Sequence, residues 1–227
     1  VKPGRIVPAV CDIVDIAGLV KGASKGEGLG NQFLANIREC DAIIHVLRCF
    51  DDSGIVHVDG SVDPVRDKEI IDMELQLKDL ETLENRAKRV EKAARVGGDK
   101  AAKIEMDVID TYRKVLLEGK SARTVTFDTE DEMAAAKSLF LLTAKPVLYV
   151  CNVDDKSAST GNEHTARVAE AIKDEDAEML IISAQTEADI AELETYEEKQ
   201  MFLEDMGLQE SGCNRLIKAI YSLLTLQ

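Results

Sequence analysis

Four short apolar runs, each followed by polar or glycine residues, predict the strands of a sheet. The runs cover residues 7–14, 43–47, 146–151 and 179–182. Uninterrupted apolar stretches of this length are typical of strands buried on both faces, as in parallel sheets. Because segments with a helical period alternate with them, we expect an α/β fold with a doubly wound parallel sheet and helices on both faces.

A long stretch between the second and third runs has the three- and four-residue period of helices. One helix is predicted over residues 67–96 and the next begins near residue 100, because two glycines interrupt the pattern and Asp99 is a good N-cap. A third helical pattern covers residues 130–142. The positions predicted to be buried are Met73, Leu77, Leu80, Leu83, Ala87, Val90 and Ala94, then Ala101, Ile104, Val108, Tyr112 and Val115, then Met133, Ala136, Leu139 and Phe140.

These helices predict an antiparallel α-helical coiled-coil hairpin, which we call the arm, inserted into the α/β domain. The expected boundaries place the first part of the α/β domain at residues 1–66, the arm at 67–143 and the second part at 144–227. At about 1.5 Å per residue, the arm would project on the order of 40 Å.

Charge is distributed unevenly along this acidic chain, whose formal net charge is −15. Residues 154–210 carry 17 acidic and 4 basic residues, which is typical of a solvated outer face. Residues 86–103, at the predicted tip of the arm, instead carry a net charge of +5. Two interpretations stay open: the tip docks on RNA, or the arm binds protein and its charges only keep it soluble. The basic residues are Arg86, Lys88, Arg89, Lys92, Arg95, Lys100 and Lys103.

Cysteine usage and hydropathy indicate a cytoplasmic protein with a sizeable core. The chain has 227 residues, of which 45% are hydrophobic, and no apolar run is long enough to cross a bilayer. No signal peptide is recognised at the printed start of the chain. The five cysteines have no C-x-x-C spacing and the three histidines are scattered, so we expect reduced thiols and no zinc site.

The first apolar run leads into Asp15-Ile16-Ala17-Gly18, a possible magnesium and phosphate motif. A carboxylate at the C-terminal end of a strand lies where open α/β sheets place their ligands. Gly18 lacks a Cβ, so its N–H can approach a phosphate oxygen closely. On this interpretation Asp15 holds Mg²⁺ through water, although D-x-x-G also occurs by chance.

Two further motifs follow the third and fourth runs. Asn152-Val153-Asp154-Asp155 is similar to the N-K-x-D loop of GTPase-like proteins, and Ser183-Ala184-Gln185 is similar to their S-A loop. In those proteins the two loops enclose the nucleotide base. Either motif alone would be read as a helix cap. Three motifs in this order, each after an apolar run, favour a nucleotide site.

The glycine-rich segment over residues 15–33 closely resembles the YchF-type Obg-like ATPases, a family of TRAFAC-type P-loop NTPases. Shorter segments at 48–50, 56–58, 97–100 and 188–193 extend the resemblance to almost the whole chain. The resemblance implies a nucleotide-binding (G) domain with an inserted arm, followed by a C-terminal TGS domain. It also implies association with the ribosome and slow, Mg²⁺-dependent ATP hydrolysis that acts as a conformational switch.

The chain departs from the family because it contains no phosphate loop. Gly119-Lys120-Ser121 looks like the end of one, but the pattern G-x-x-x-x-G-K-[ST] requires a glycine where Lys114 stands. The preceding residues have a helical pattern, so Gly119 is interpreted as a helix C-cap. We therefore expect the chain to begin after the phosphate loop and the first switch, to stop near the start of the TGS domain, and to be inactive alone.

The catalytic group is not evident from the motifs. Ras-like GTPases orient water with a glutamine directly after the D-x-x-G glycine, whereas this chain has Leu19 there, a hydrophobic substitution that the family shares. The catalytic candidates are Gly18, Leu19 and His57, with His57 as the group that positions water. The alternative interpretation of His57 is an ordinary surface histidine.

Two positions bear on the choice of base. Val153 stands where GTPases carry a lysine, and Asp155 stands where the Obg-like ATPases usually carry glutamate. The resemblance suggests that backbone groups of Val153 read adenine, the N–H toward N1 and the C=O toward the exocyclic amine. This favours ATP, while an Obg-type GTPase and a non-catalytic ribosome- or protein-binding module remain alternatives.

Overall fold

The computed structural model describes residues 10–16, 29–52, 54, 60–96 and 98–226. In these residues, three parallel strands form a sheet in the order β1-β2-β3. The strands are β1 (Ile43–Arg48), β2 (Val147–Asn152) and β3 (Glu178–Ile182). The helices are α1 (Leu29–Glu39), α2 (Pro64–Val96), α3 (Lys100–Leu117), α4 (Glu130–Ser138), α5 (Glu163–Ile172), α6 (Ala184–Glu192), α7 (Tyr196–Asp205) and α8 (Gly212–Leu223).

The central strand β2 carries the core of the sheet. Residues Val147 to Cys151 of this strand are all buried. They pack with Leu47 of β1 and with Val168 of α5, because both faces of the strand are covered. The prediction of a doubly wound α/β fold with an inserted helical hairpin is confirmed.

The predicted strand over residues 7–14 is wrong for the residues that the structure describes. Residues 10–14 form no regular element, and Val10, Ile13 and Val14 are 86%, 64% and 61% exposed. A strand needs a neighbour to satisfy its backbone groups. None of the described segments pairs with this one. The described sheet contains only β1, β2 and β3, which pair with one another. For the same reason Cys11 does not lie in a core strand.

The arm forms as a hairpin of α2 and α3. Asp99 caps α3 by accepting hydrogen bonds from the N–H groups of Ala101 and Ala102, which confirms the predicted N-cap. Gly98 adopts a φ of +63°, a left-handed conformation that glycine allows at the reversal. The distal core of the arm consists of Leu83, Ala87, Val108, Ile109, Tyr112 and Leu116, with Phe127 packed edge-on against Tyr112.

The buried face of α2 changes along the helix, so its predicted seam is wrong near the root of the arm. Met73 and Leu77 are exposed, whereas Leu75 is buried against α1. The distal part of α2 packs on α3, but its root packs on α1 and the sheet. One long helix therefore presents different faces to different neighbours, and a single periodic seam cannot describe it.

The third helix of the arm is shorter than predicted. It ends at Ser138, and Phe140 adopts a φ of +49° that a helix cannot continue through. Met133 and Phe140 are exposed, while Leu139 is buried. The predicted apolar face of this helix is therefore only partly correct.

The end of α3 confirms that Gly119-Lys120-Ser121 is not part of a phosphate loop. Gly119 adopts a φ of +76°, and its N–H donates to the carbonyl of Leu116. The N–H of Lys120 donates to the carbonyl of Val115. These two bonds form a Schellman motif, which is how glycine commonly ends a helix.

Candidate functional site

The loops after β2 and β3 meet at one edge of the sheet. The side-chain Oδ1 of Asn152 accepts a hydrogen bond of 3.0 Å from the N–H of Ala184. Ser183 lies directly before α6 and caps it, since its Oγ accepts from the N–H of Thr186. Parallel strands place their carboxyl ends together, and open α/β sheets bind ligands there. The structure thus brings the two predicted base loops into direct contact.

Asp155 is held between these loops by two hydroxyl groups. Its Oδ1 accepts hydrogen bonds from Ser183 Oγ at 2.6 Å and from Thr186 Oγ1 at 2.8 Å. Ser183 and Thr186 are both buried. Sequence analysis did not identify Thr186. Its position three residues after Ser183, one helical turn onward, was the available signal.

Val153 does not have the role predicted for its N–H. This N–H donates to the carbonyl of Ile182 at 2.9 Å, because the contact between β2 and β3 continues one residue beyond β2. It is therefore not free to bind adenine N1. The side chain of Val153 is also buried and packs in the core of the sheet rather than over a base.

Asp154 and Gln185 make local contacts in the same loops. Asp154 Oδ1 accepts from the N–H of Ser157 and caps the short 3₁₀ turn Asp155–Ser157. The amide nitrogen of Gln185 donates to Asp189 one turn along α6. The predicted site residue Gln185 is thus present at the site, with its side chain directed along its own helix.

The loop that follows β1 is also tied to the base loop. The N–H of Cys49 donates to the carbonyl of Asn152 at 2.7 Å, and the carbonyl of Cys49 accepts from the Asn162 side chain. Cys49 and Cys151 are buried and free, and a hydrogen bond with Cys151 together with burial raises the pKa of the Cys49 thiol. The Cys49 thiol is therefore protonated, as expected of a structural rather than a reactive cysteine.

The phosphate side of the predicted site lies largely outside the described residues. Gly18, Leu19 and His57 all belong to segments that the structure does not describe. Asp15 is described and exposed. Across the described ranges, no group of three His, Cys, Asp or Glu side chains is arranged to hold a metal. A single exposed carboxylate fits Mg²⁺, which commonly binds one or two carboxylates together with nucleotide phosphates and water.

Described residues on both sides of the segment that contains His57 are held by α5. His164 Nε2 lies 3.2 Å from Asp51 Oδ2, and Arg167 NH2 donates to both carboxylate oxygens of Asp63 at 3.0 and 3.1 Å. Asp63 in turn accepts from the N–H of Arg66 at the start of α2. The chain between β1 and the arm is therefore anchored at Asp51 and at Asp63.

The basic cluster lies at the tip of the arm, as predicted. Arg86 is half-buried and forms an ion pair with Glu105 of α3, so its charge is already neutralised. Arg95 pairs with Glu91 on the exposed surface. The side chains that remain exposed are Lys88, Arg89, Lys92, Arg95, Lys100 and Lys103. Among helices of the described residues, none is long and apolar enough to cross a membrane.

Comparison with known proteins shows which proteins this chain is similar to. Over its whole length the chain is 50% identical to the ribosome-binding ATPase YchF of Bacillus subtilis and 49% identical to that of Haemophilus influenzae. It is 40% identical to the Obg-like ATPase 1 of Gallus gallus. The chain is homologous to the YchF-type Obg-like ATPases. It spans 62%, 61% and 58% of these relatives, less than two thirds of their length.

A family model and a solved structure agree with this result. The model described as a 50S ribosome-binding GTPase matches residues 2–95. The structure of the Schizosaccharomyces pombe YchF GTPase is similar, with a TM-score of 0.76 and 33% identity, covering 92% of this chain and 56% of that one. The resemblance to YchF-type proteins and the P-loop GTPase fold are therefore confirmed.

Proposed function

We propose that this chain is the nucleotide-binding and arm portion of a cytoplasmic, ribosome-associated ATPase. The whole protein hydrolyses ATP slowly with Mg²⁺ and uses the cycle as a conformational switch. Two relatives that match the whole chain at 49–50% identity are named ribosome-binding ATPase YchF, which supports the proposal. The partners are ATP and ribosomal RNA.

The joined base loops are the single observation that carries this proposal. Asn152 bonds the S-A loop, and Asp155 receives the hydroxyl of Ser183. Both bonds cross between segments that follow different strands, so the two loops are already held together without a nucleotide. Such preorganisation lowers the ordering cost of binding.

Each predicted residue has a proposed role. Asp15 would hold Mg²⁺ through water, the N–H of Gly18 would contact the terminal phosphate, and Leu19 stands in the sequence where Ras-like GTPases carry glutamine. His57 positions the attacking water. The carbonyl of Val153, unlike its N–H, remains a candidate acceptor for the exocyclic amine of adenine.

Replacing His57 by alanine in the full-length protein tests the catalytic assignment. We expect kcat for ATP to fall by about 10²-fold with KM nearly unchanged, because a residue that orients water contributes mainly in the transition state. Steady-state phosphate release with Mg²⁺ present measures both constants. Lys137→Ala, which changes an exposed side chain of α4 outside the proposed chemistry, is the control.

An unchanged kcat in the His57→Ala variant would show that His57 is an ordinary surface histidine with no role in catalysis. If the full-length protein hydrolysed neither ATP nor GTP, the proposal of an ATPase would fail as a whole. If it also bound ribosomes with the same affinity with and without nucleotide, the alternative hypothesis of a non-catalytic binding module would be correct.

A GTPase is the second candidate, and Asp155 is the observation that favours it. GTPases carry aspartate at this position, and both the matching family model and the S. pombe structure are described as GTPases. Competition between ATP and GTP for the full-length protein decides between the two candidates.

We propose the domain boundaries at residues 66/67 and 143/144, so that the arm comprises residues 67–143. We also propose that the 227 residues alone are inactive, since they contain no phosphate loop to supply backbone donors to the β- and γ-phosphates. Micromolar ATP binding to these residues by calorimetry would contradict this.

A further inference from the structure

We propose that Glu187 is a positioning residue for the S-A loop. It holds the first turn of α6 against α8 and thereby sets the affinity for nucleotide without taking part in hydrolysis. The inference rests on the proposed function, because it assumes that the joined base loops bind a nucleotide. Glu187 belongs to none of the motifs that the sequence analysis identified.

The carboxylate of Glu187 joins two helices that are distant in the chain. Glu187 lies in the first turn of α6, where its own N–H donates to the carbonyl of Ser183. Its Oε1 accepts from the N–H of Gly212 at 2.6 Å, and its Oε2 accepts from the N–H of Cys213 at 2.9 Å. The first N–H groups of a helix have no partner within the helix, and the partial positive charge there favours a carboxylate. Glu187 therefore fixes α6 to the start of α8.

α8 is in turn fixed to β3, the strand that leads into the S-A loop. Arg215 NH1 donates to the carbonyl of Ile181 at 3.2 Å. Gly212 packs so closely that a Cβ at this position would lie 2.9 Å from both Ile182 Cγ2 and Glu187 Oε1. The strand, the S-A loop, the first turn of α6 and the start of α8 thus form a closed ring of contacts, and Glu187 closes it.

This ring has a different role from the contacts between the base loops. The bonds from Asn152 to Ala184 and from Asp155 to Ser183 hold the two loops to each other. Glu187 instead holds the S-A loop to the rest of the domain. Without it, the first turn of α6 gains freedom that nucleotide binding must remove, which weakens binding. No group that would contact a base or a phosphate is changed, so ATP and GTP should weaken alike and kcat should stay the same.

The Glu187→Gln variant of the full-length protein tests this inference. It keeps the shape of the side chain but replaces one acceptor oxygen with an NH2 group, which cannot accept from a backbone N–H. We expect the Kd values for ATP and GTP each to rise about tenfold, a factor typical of losing a hydrogen bond to a charged group. Calorimetric titration measures Kd, and steady-state phosphate release should show a raised KM with kcat unchanged.

The Gly212→Ala variant disturbs the same contact from the side of α8. Its Cβ would displace the Glu187 carboxylate, so we expect a similar rise in both Kd values. Because the two changes break one contact, the double variant should be no weaker than the sum of independent effects would require, and close to either single variant. Glu192→Gln, which alters an exposed carboxylate at the end of the same helix, is the matched control and should bind like the wild type.

A purely structural role for Glu187 predicts a different result. Urea unfolding would then show lower stability, while Kd and KM of the folded Glu187→Gln and Gly212→Ala variants would equal those of the wild type, and this would overturn the inference. A lowered kcat with unchanged Kd would also overturn it. If the wild-type full-length protein bound neither ATP nor GTP, the proposed function itself would fail. If it bound them and the variants bound equally well, only this inference would fail.

Discussion

At the scale of single residues, the ionisable side chains in the sheet are held in defined protonation states. His45 lies on β1 with its ring centroid 5.6 Å from that of Tyr149. Burial lowers the pKa of His45 below its ordinary value of 6.5, and the charges of Lys68 and Arg123 lower it further. The carboxylates of Asp72 and Glu175 act in the opposite direction without reversing the shift. His45 is therefore neutral in the folded protein at neutral pH.

This neutral histidine predicts a specific loss of stability in acid. Between the lowered folded pKa and 6.5, the unfolded chain binds a proton at His45 that the folded chain does not. The free energy of unfolding therefore falls as pH falls through this window. Urea unfolding at pH 7 and pH 5 should show a smaller loss for His45→Gln than for the wild type. Parallel pH profiles of the two proteins would contradict the assignment.

At the scale of elements, a buried ionic network joins the root of the arm to the sheet. Lys68 Nζ of α2 lies 2.7 Å from Asp72 and 2.5 Å from Glu175, which follows α5. The hydroxyl of Tyr149 in β2 donates to Glu175, and Arg123 lies 3.7 Å from the same carboxylate. Side chains of α2, of β2 and of the segment between α3 and α4 therefore meet at the carboxylate of Glu175.

Removing the central cation of this network should destabilise the protein strongly. Lys68→Met leaves two largely buried carboxylates without their shared partner, and breaking a buried pair in this way costs about 3–5 kcal/mol. Lys78→Met is the matched control on the same helix, since the Lys78–Glu81 pair is more exposed and should contribute about 0–1 kcal/mol. Denaturant unfolding of both variants measures the difference. Equal effects would show that the network adds no stability.

A second long-range contact fixes the segment that leads into β2. Asp79 of α2 is buried and accepts from the N–H groups of Leu142 and Thr143 and from the Thr143 hydroxyl. These donors would otherwise be buried without partners. The last residues of the arm, which lead into β2, are therefore held against α2 by specific polar contacts.

At the scale of the whole molecule, the separation of charge predicts how the arm binds. Changing Arg89, Lys92 and Arg95 to glutamate in the full-length protein should weaken ribosome binding by at least tenfold and flatten its dependence on salt, because fewer counterions are released. ATP turnover without ribosomes should be preserved. Co-sedimentation with ribosomes over a series of salt concentrations measures both the affinity and the slope.

The control for this experiment reverses charges on the acidic face. Glu192, Glu194 and Glu197 are exposed and suit this purpose, whereas Glu175 does not, because it belongs to the buried network. Wild-type affinity and salt slope in the tip variant would show that the basic cluster only keeps the arm soluble.

Local sequence signals determined much of this structure. The apolar runs at 43–47, 146–151 and 179–182 became the three described strands, because a short buried run carries its own strand preference. Asp99 and Gly119 mark the ends of α3, since caps depend on neighbouring residues in the chain. The order of the motifs after these strands also predicted that the two base loops lie side by side.

Tertiary structure alone decided the contacts between distant residues. Residues 10–14 have an apolar pattern but no strand partner among the described residues, and so they remain exposed. The N–H of Val153 is bound by the strand beside it, and Oδ1 of Asp155 by a residue 31 positions away. Lys68 meets Glu175 across 107 positions. A local pattern shows which face of an element is apolar. Which partner covers that face, or binds a remaining hydrogen-bonding group, is decided only when the elements pack.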